Sequence, residues 1–197
     1  MMPGTWFVGD THFGHLKVAQ IRGFESAAEH DDVIFSKWTR QVRDEDTVFV
    51  LGDISSGSSG GEDHALSILE NLPGHKHLIC GNHDSISSIH RNGYKKQAYW
   101  FRVFDSIRDY GRIRIEGADI LLSHYPYASS GDGPGRGEQR YMQFRLPDLG
   151  GYLIHAHTHH AHPTSGSSTG REYCVSWDAH RRLVNLGDIA AWIKEES

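Results

Sequence analysis

Seven residues with metal-ligand chemistry occur in clusters along this chain: Asp10 with His12, then Asp53, Asn82, His124, and His157 with His159. Each cluster stands just past a short apolar run that stops at a Gly, Asp, Asn or His. Such a run reads as a buried strand delivering its last residues to one rim of a sheet. The donors are oxygen and imidazole nitrogen without sulfur, a set that suits Mn, Fe, Zn, Ni or Co. Five successive strand ends carrying only such donors predict a dinuclear metal centre.

The spacings assign roles. Asp10-Thr11-His12 puts a carboxylate and an imidazole two residues apart, so on an extended segment both point toward one cation. A single carboxylate, Asp53, can bridge two cations and lower their mutual repulsion. In Gly81-Asn82-His83-Asp84, Asn82 offers a neutral carbonyl oxygen to a metal. His83 can reach a substrate, and Asp84 can hold the His83 ring and favour its protonated form. His157 and His159 share a face by period two, which places one imidazole on each of two adjacent ions. His15 is close enough to this group to touch a phosphate. His155 reads as a packing residue, and the Trp177-Asp178 segment as a closing structural element.

The strands that must carry these residues are Thr5 to Val8, Val48 to Leu51, Leu78 to Cys80, Ile120 to Leu122 and Tyr152 to Ile154. Between the first two, Glu25 to Val42 has helical character, with Ser26 as cap and Phe35, Trp38 and Val42 on one face. A flexible Ser/Gly loop from Ser55 to Gly61 leads into a short helix from Glu62 to Asn71. A further short helix is expected after Asp84, up to Asn92-Gly93. From Tyr99 to Leu122 the pattern alternates, and Glu116 to Asp119 separates two arms of a hairpin. Strand-helix-strand units followed by a hairpin indicate an α/β architecture with two mixed sheets. The aperiodic stretch Tyr127 to Arg145, rich in Gly and holding Arg136, Arg140 and Arg145, is either a substrate-facing lid or a disordered connection. Arg136 and Arg140 are candidate substrate contacts.

Composition bounds the remaining classes. A chain of 197 residues, 38% hydrophobic, can bury one substantial core, and a single domain over residues 1–197 is expected. A formal charge of -5 gives no footprint for strong duplex nucleic-acid binding and suits a site for cations. Cys80 and Cys174 are too few for a disulfide framework or a thiolate zinc site. No stretch approaches the ~18 apolar residues of a membrane span, and a cytoplasmic, reducing location is expected.

The ordered motifs D-x-H, GD, GNHD, a lone His and a variant of GHxH, from Asp10 to His159, resemble those of the calcineurin-like metallophosphoesterase superfamily. Among its members, the chain is most like the small phage and bacterial phosphoesterases. The resemblance implies a four-layer αββα sandwich. It also implies one metal on Asp10, His12, Asp53 and His159, and a second on Asp53, Asn82, His124 and His157. His83 would be the general acid, supported by Asp84, and Mn²⁺ is the favoured ion. A small phosphoester would be hydrolysed by a hydroxide bridging the two ions. A phosphodiesterase is ranked first, with 2',3'-cyclic nucleotides as a favoured subset. Phosphomonoesterase or phosphoprotein phosphatase, nuclease, and a non-catalytic scaffold of the same fold are the alternatives. The sequence departs from the pattern at Ala156, where the family has glycine, and at Ile54-Ser55-Ser56, where a charged residue is common.

Overall fold

The computed structural model describes residues 2–132, 139–164 and 170–196. Its strands are β1 (Thr5–Val8), β2 (Thr47–Val50), β3 (His75–Ile79), β4 (Ser106–Arg108), β5 (Tyr110–Ile115), β6 (Ala118–Ser123), β7 (Tyr152–His155), β8 (Glu172–Cys174) and β9 (Val184–Asn185). Its α-helices are α1 (Leu16–Ile21), α2 (Ala27–Gln41), α3 (Ser59–Glu70), α4 (Gln97–Trp100), α5 (Trp177–His180) and α6 (Leu186–Glu195). One sheet runs β4-β3-β2-β1-β9, with β1 to β4 parallel and β9 antiparallel. The other runs β5-β6-β7-β8, antiparallel at β5/β6 and parallel beyond. This is the two-sheet α/β sandwich that the resemblance implies.

The apolar runs of β1 to β3 are continuous because both of their faces are covered. Val8, Val48, Val50 and Leu78 turn toward the helices, where Ile34 and Trp38 of α2 and Leu66 and Leu69 of α3 meet them. Phe7, Leu51 and Ile79 turn the other way, onto Ile120, Leu122 and Ile154 of the second sheet and Ile189, Trp192 and Ile193 of α6. Trp38 is fully buried, and its indole N–H donates to the Pro73 carbonyl at 3.0 Å. Cutting it to Ala should cost about 3–5 kcal/mol.

Register then fixes where the chemistry emerges. Val8 pairs with Val50, and Val50 with Leu78, so Asp10, Asp53 and Asn82 leave the first sheet on one rim. Leu122 pairs with Ile154, so His124 and His157 leave the second sheet together. The chain after β8 joins the two rims: Gly9 N–H donates to Val175 O at 2.9 Å, and Trp177 N–H to Gly9 O at 2.9 Å. Parallel strands opening on a common rim are a recurrent place for a ligand site in α/β folds.

Several local expectations need correction. Along α2, Trp38 and, just past its end, Val42 are buried as anticipated, but Phe35 is 36% exposed and Ile34 takes its place on the buried face. Ser26 does cap the helix, accepting from the Glu29 N–H. No helix directly follows Asp84. Residues 85–92 form turns, a short 3₁₀ segment spans Gly93–Lys96, and α4 takes in Tyr99, which alternation had assigned to extended chain. The hairpin is present, with a tighter turn than expected. Only Glu116 and Gly117 lie outside the strands, with φ of 50° and 85°, the positive pair that a two-residue turn between twisted strands favours. Helix α1 was not anticipated, because its six residues expose Leu16 and Ile21 and show no apolar face.

Candidate metal centre

The ligand atoms of Asp10, His12 and His159 all lie within 4.8 Å of one another, and those of Asp53, His124 and His157 form a second such group. Asn82 joins the second group, its Oδ1 3.3 Å from His124 Nε2. All of these residues are buried except His159, whose side chain is 23% exposed. The structure therefore brings together all seven residues singled out in the sequence.

Their backbone differs from the expectation. Asp10, His12, Asp53, His157 and His159 have φ of 53°, 49°, 53°, 69° and 50°, the left-handed region that side chains other than glycine's rarely adopt. Asp10 and His12 thus converge through a left-handed bend and not along an extended segment. His157 and His159 do separate onto the two groups, again through bends. Each such residue costs on the order of 1–3 kcal/mol and persists only where its surroundings over-determine it. They do so here. Asp10 N–H donates to Gly52 O, His12 N–H to Asp53 O, Phe13 N–H to Ile54 O, and His157 N–H to Asp10 Oδ2.

The second nitrogen of each imidazole decides the fit to a metal. His12 Nδ1 meets Ser55 O at 2.9 Å, and His124 Nδ1 meets Leu51 O at 2.7 Å. His159 Nδ1 meets Asp178 Oδ2 at 2.7 Å, and His157 Nε2 meets Asp132 Oδ1 at 3.1 Å. A carbonyl or carboxylate only accepts, so each of these nitrogens carries a proton, and the nitrogen on the other side of the ring is the one available to a cation. Those other nitrogens face each other, His12 Nε2 to His159 Nε2 at 3.3 Å and His124 Nε2 to His157 Nδ1 at 3.2 Å. Asp10 Oδ1 is buried without a hydrogen-bond donor. Two nitrogens each about 2.1 Å from one ion stand at about this separation. The donor set fits two divalent cations.

Charge has the same logic. Burial opposes ionisation of Asp53, yet the neighbouring His124, His12 and His83 hold its carboxyl well below the usual range. Burial would lower His124, but Asp53, 3.5 Å away, raises it to about 9 in the metal-free protein, so a cation taken up at its Nε2 displaces a proton. Burial takes His12 down to about 3, so that ring is neutral and free to ligate.

His83 sits on the rim with its side chain 43% exposed. Its Nδ1 donates to Ser56 O at 3.1 Å, and its Nε2 lies 4.0 Å from Asp53 Oδ2. Asp84 does not hold that ring. Its carboxylate accepts instead from the main-chain N–H groups of Asp53, Ile54 and Gly81. His15 stands over His12 edge to face, ring centroids 5.5 Å apart. Arg140 is held by Asp132, 3.2 Å from its Nε, and Arg145 is held by the same carboxylate. Arg136 lies outside the described residues. His155 is buried, as anticipated, with Nδ1 on Ala156 O.

Two residues were missed. Asp132 and Asp178 orient His157 and His159 from 25 and 19 residues away, distances over which no local spacing marks a carboxylate. Trp177-Asp178 is accordingly more than a closing element. Both departures from the family pattern also have a physical account. A Cβ on Gly9 would come within 2.4 Å of the Ala156 methyl, so Ala156 occupies room that Gly9 leaves open. Ser55 and Ser56 serve through their carbonyls, which orient His12 and His83 and require no charged side chain.

A family model described as the calcineurin-like phosphoesterase superfamily domain matches residues 5–197. The chain belongs to the calcineurin-like phosphoesterase superfamily. That superfamily comprises metal-dependent phosphoester hydrolases, in keeping with the donor set above. Within it, the chain is 39% identical to the Gene 66 protein of Mycobacterium phage L5, over 95% of this chain and 93% of the relative. It is 36% identical to the Gene 66 protein of Mycobacterium phage D29, over 98% of each. A crystal structure of a protein of unknown function from Aquifex aeolicus superposes with a TM-score of 0.71 at 26% identity, covering 96% of this chain and 99% of that one. No helix among the described residues of this phosphoesterase is long and apolar enough to cross a membrane.

Proposed function

We propose that this chain is a two-metal phosphodiesterase acting on small phosphoesters, with 2',3'-cyclic nucleotides as a favoured class and Mn²⁺ as the favoured ion. The reading rests on one observation above all: paired imidazole nitrogens converge beside buried carboxylates, and a half-exposed His83 stands at the rim.

Asp10, His12, Asp53 and His159 would hold one cation, and Asp53, Asn82, His124 and His157 the other. Bound there, two divalent ions would supply Lewis acidity toward phosphoryl oxygens and acidify water. The chain's own residues do the rest. Ser56 fixes the His83 ring through Nδ1, which leaves Nε2 to carry a proton to the departing alkoxide as general acid. Asp53 Oδ2 lies 4.0 Å from that nitrogen, so His83 stands beside the bridging position. Asp84 keeps the Asp53 and Gly81 main chain in place. His15, against the His12 ring, and Arg140, on Asp132, are assigned to the substrate's phosphate and to its leaving group or nucleoside, respectively.

Rates on bis(p-nitrophenyl) phosphate, p-nitrophenyl phosphate and 2',3'-cyclic AMP, with Mn²⁺ supplied, test this reading. Preference for the diesters is expected. Faster turnover of the monoester would replace the assignment with a phosphomonoesterase, and no turnover of any ester would point to a non-catalytic scaffold.

A further inference from the structure

Arg22 follows the last residue of α1, and its side chain is completely buried. A guanidinium offers five N–H donors in one rigid plane and accepts nothing. Here each donor has an acceptor. Nε donates to Asp178 Oδ1 at 3.0 Å, and Nη2 to Asp178 Oδ2 at 2.6 Å and to Asp10 O at 2.7 Å. Nη1 donates to Thr11 O at 3.2 Å and to His30 Nε2 at 2.8 Å.

The acceptors share a property. The Asp10 and Thr11 carbonyls belong to the left-handed bend that aims Asp10 and His12 at the first ligand group. Asp178 is the carboxylate that orients His159, the remaining member of that group. Asn82, His124 and His157, which belong to the other group, make no hydrogen bond with Arg22; the two rings are set by Leu51 O and Asp132, and the Asn82 amide oxygen faces His124.

Arg22 is itself held from behind. Because Arg22 donates to His30 Nε2, the proton of that ring is on Nδ1, which donates to Asp31 Oδ1 at 2.9 Å. The other oxygen, Asp31 Oδ2, accepts from Gly14 N at 2.8 Å and from His64 Nε2 at 2.8 Å, and His64 is half-exposed. An unbroken run of hydrogen bonds thus leads from the surface through Asp31, His30, Arg22 and Asp178 to His159. It grips the 10–14 loop at both ends. A buried positive charge beside a cation position opposes metal binding, and the paired Asp178 carboxylate offsets it.

We propose that Arg22, backed by His30 and Asp31, is the positioning residue for one of the two cations, the one on Asp10, His12 and His159. This rests on the two-cation reading above. The second cation depends on a separate support, Asp132, so the halves of the centre are separable by mutation.

The test is titration of the metal-free, full-length protein with Co²⁺, following both stoichiometry and the paramagnetically shifted N–H signals of the histidine rings. Wild type should take two ions. Arg22→Met should keep one near wild-type affinity and bind the other about 10–100-fold more weakly. The lost signals should be those of His12 and His159, with His124 and His157 retained. Arg22→Lys, which can keep only part of the five contacts, should recover part of the loss. If Arg22→Met fails to fold, Asp178→Asn carries the test and should show the same selective loss. Both ions binding the folded variants with wild-type affinity would overturn the assignment, as would selective loss of the His124 and His157 signals. Wild type that takes up no divalent ion would overturn the two-cation reading and this assignment with it.

Discussion

The Asp84 carboxylate accepts a hydrogen bond from the main-chain N–H of Asp53 at 3.0 Å, and the same oxygen accepts from Gly81 N–H at 2.7 Å. Its other oxygen takes the Ile54 N–H at 3.0 Å. The acid of the Gly81-Asn82-His83-Asp84 motif is therefore a clamp between two strand ends, not a partner of the neighbouring imidazole. Burial and the Asp53 charge raise its pKa to about 6 in the metal-free protein.

Asp84→Asn would turn an N–H₂ group toward at least one of those main-chain donors. An orphaned buried donor costs about 1–3 kcal/mol, so the variant should melt earlier. It should also bind metal more weakly on the Asp53 and Asn82 side. Titration with Mn²⁺ checks this. If the variant bound metal normally and failed only on substrates with poor leaving groups, Asp84 would be acting through His83 after all.

His83→Ala should behave in the opposite way. The ring contributes no ligand atom to either group, so metal content should stay at the wild-type level. Turnover of esters with poor leaving groups should fall by about 10²–10⁴, the usual yield of a positioned general acid. Esters with p-nitrophenolate as leaving group should suffer less. Equal losses across both kinds of substrate would remove His83 from the role.

Gly9→Ala should be destabilising, because its methyl would meet the Ala156 methyl at 2.4 Å. Overpacking of this kind costs about 1–3 kcal/mol. In the Gly9→Ala, Ala156→Gly double variant the clash is gone, and urea denaturation should return most of the lost stability. Additive effects would show that the two positions do not share the space.

Asp46 gives a pH dependence far from the metals. Burial would raise its pKa, but N–H donors from Gly4 at 2.6 Å, Arg43 at 3.0 Å and the Trp6 indole at 3.0 Å bring it below the usual value. A depressed carboxyl stabilises the fold fully above its unfolded pKa, about 3.9, and loses that contribution as pH falls through the folded value. Wild type should therefore lose more stability than Asp46→Asn between pH 5 and pH 3. Parallel melting-temperature profiles would contradict this.

Much of this was legible in the sequence because ligand residues and strand ends are local signals. Val8, Leu51 and Cys80 close apolar runs that are buried, and the chemistry follows two residues later in each case. The Ser26 cap marked α2 for a similar reason. What was not legible depends on tertiary contact. Asp132, Asp178 and Arg22 act on residues distant in sequence, and nothing in their immediate neighbours announces it. The left-handed φ at Asp10, His12, Asp53, His157 and His159 was equally hidden, since sequence patterns presume glycine at such positions. Helix α1 escaped because it is too short for periodicity to register.

The most direct measurement is of metal content against diesterase rate in one preparation. Protein stripped by chelation should be inactive toward bis(p-nitrophenyl) phosphate. Activity should return as Mn²⁺ is added, reaching its plateau at two ions per chain. Full turnover by protein holding less than one ion per chain would contradict the account.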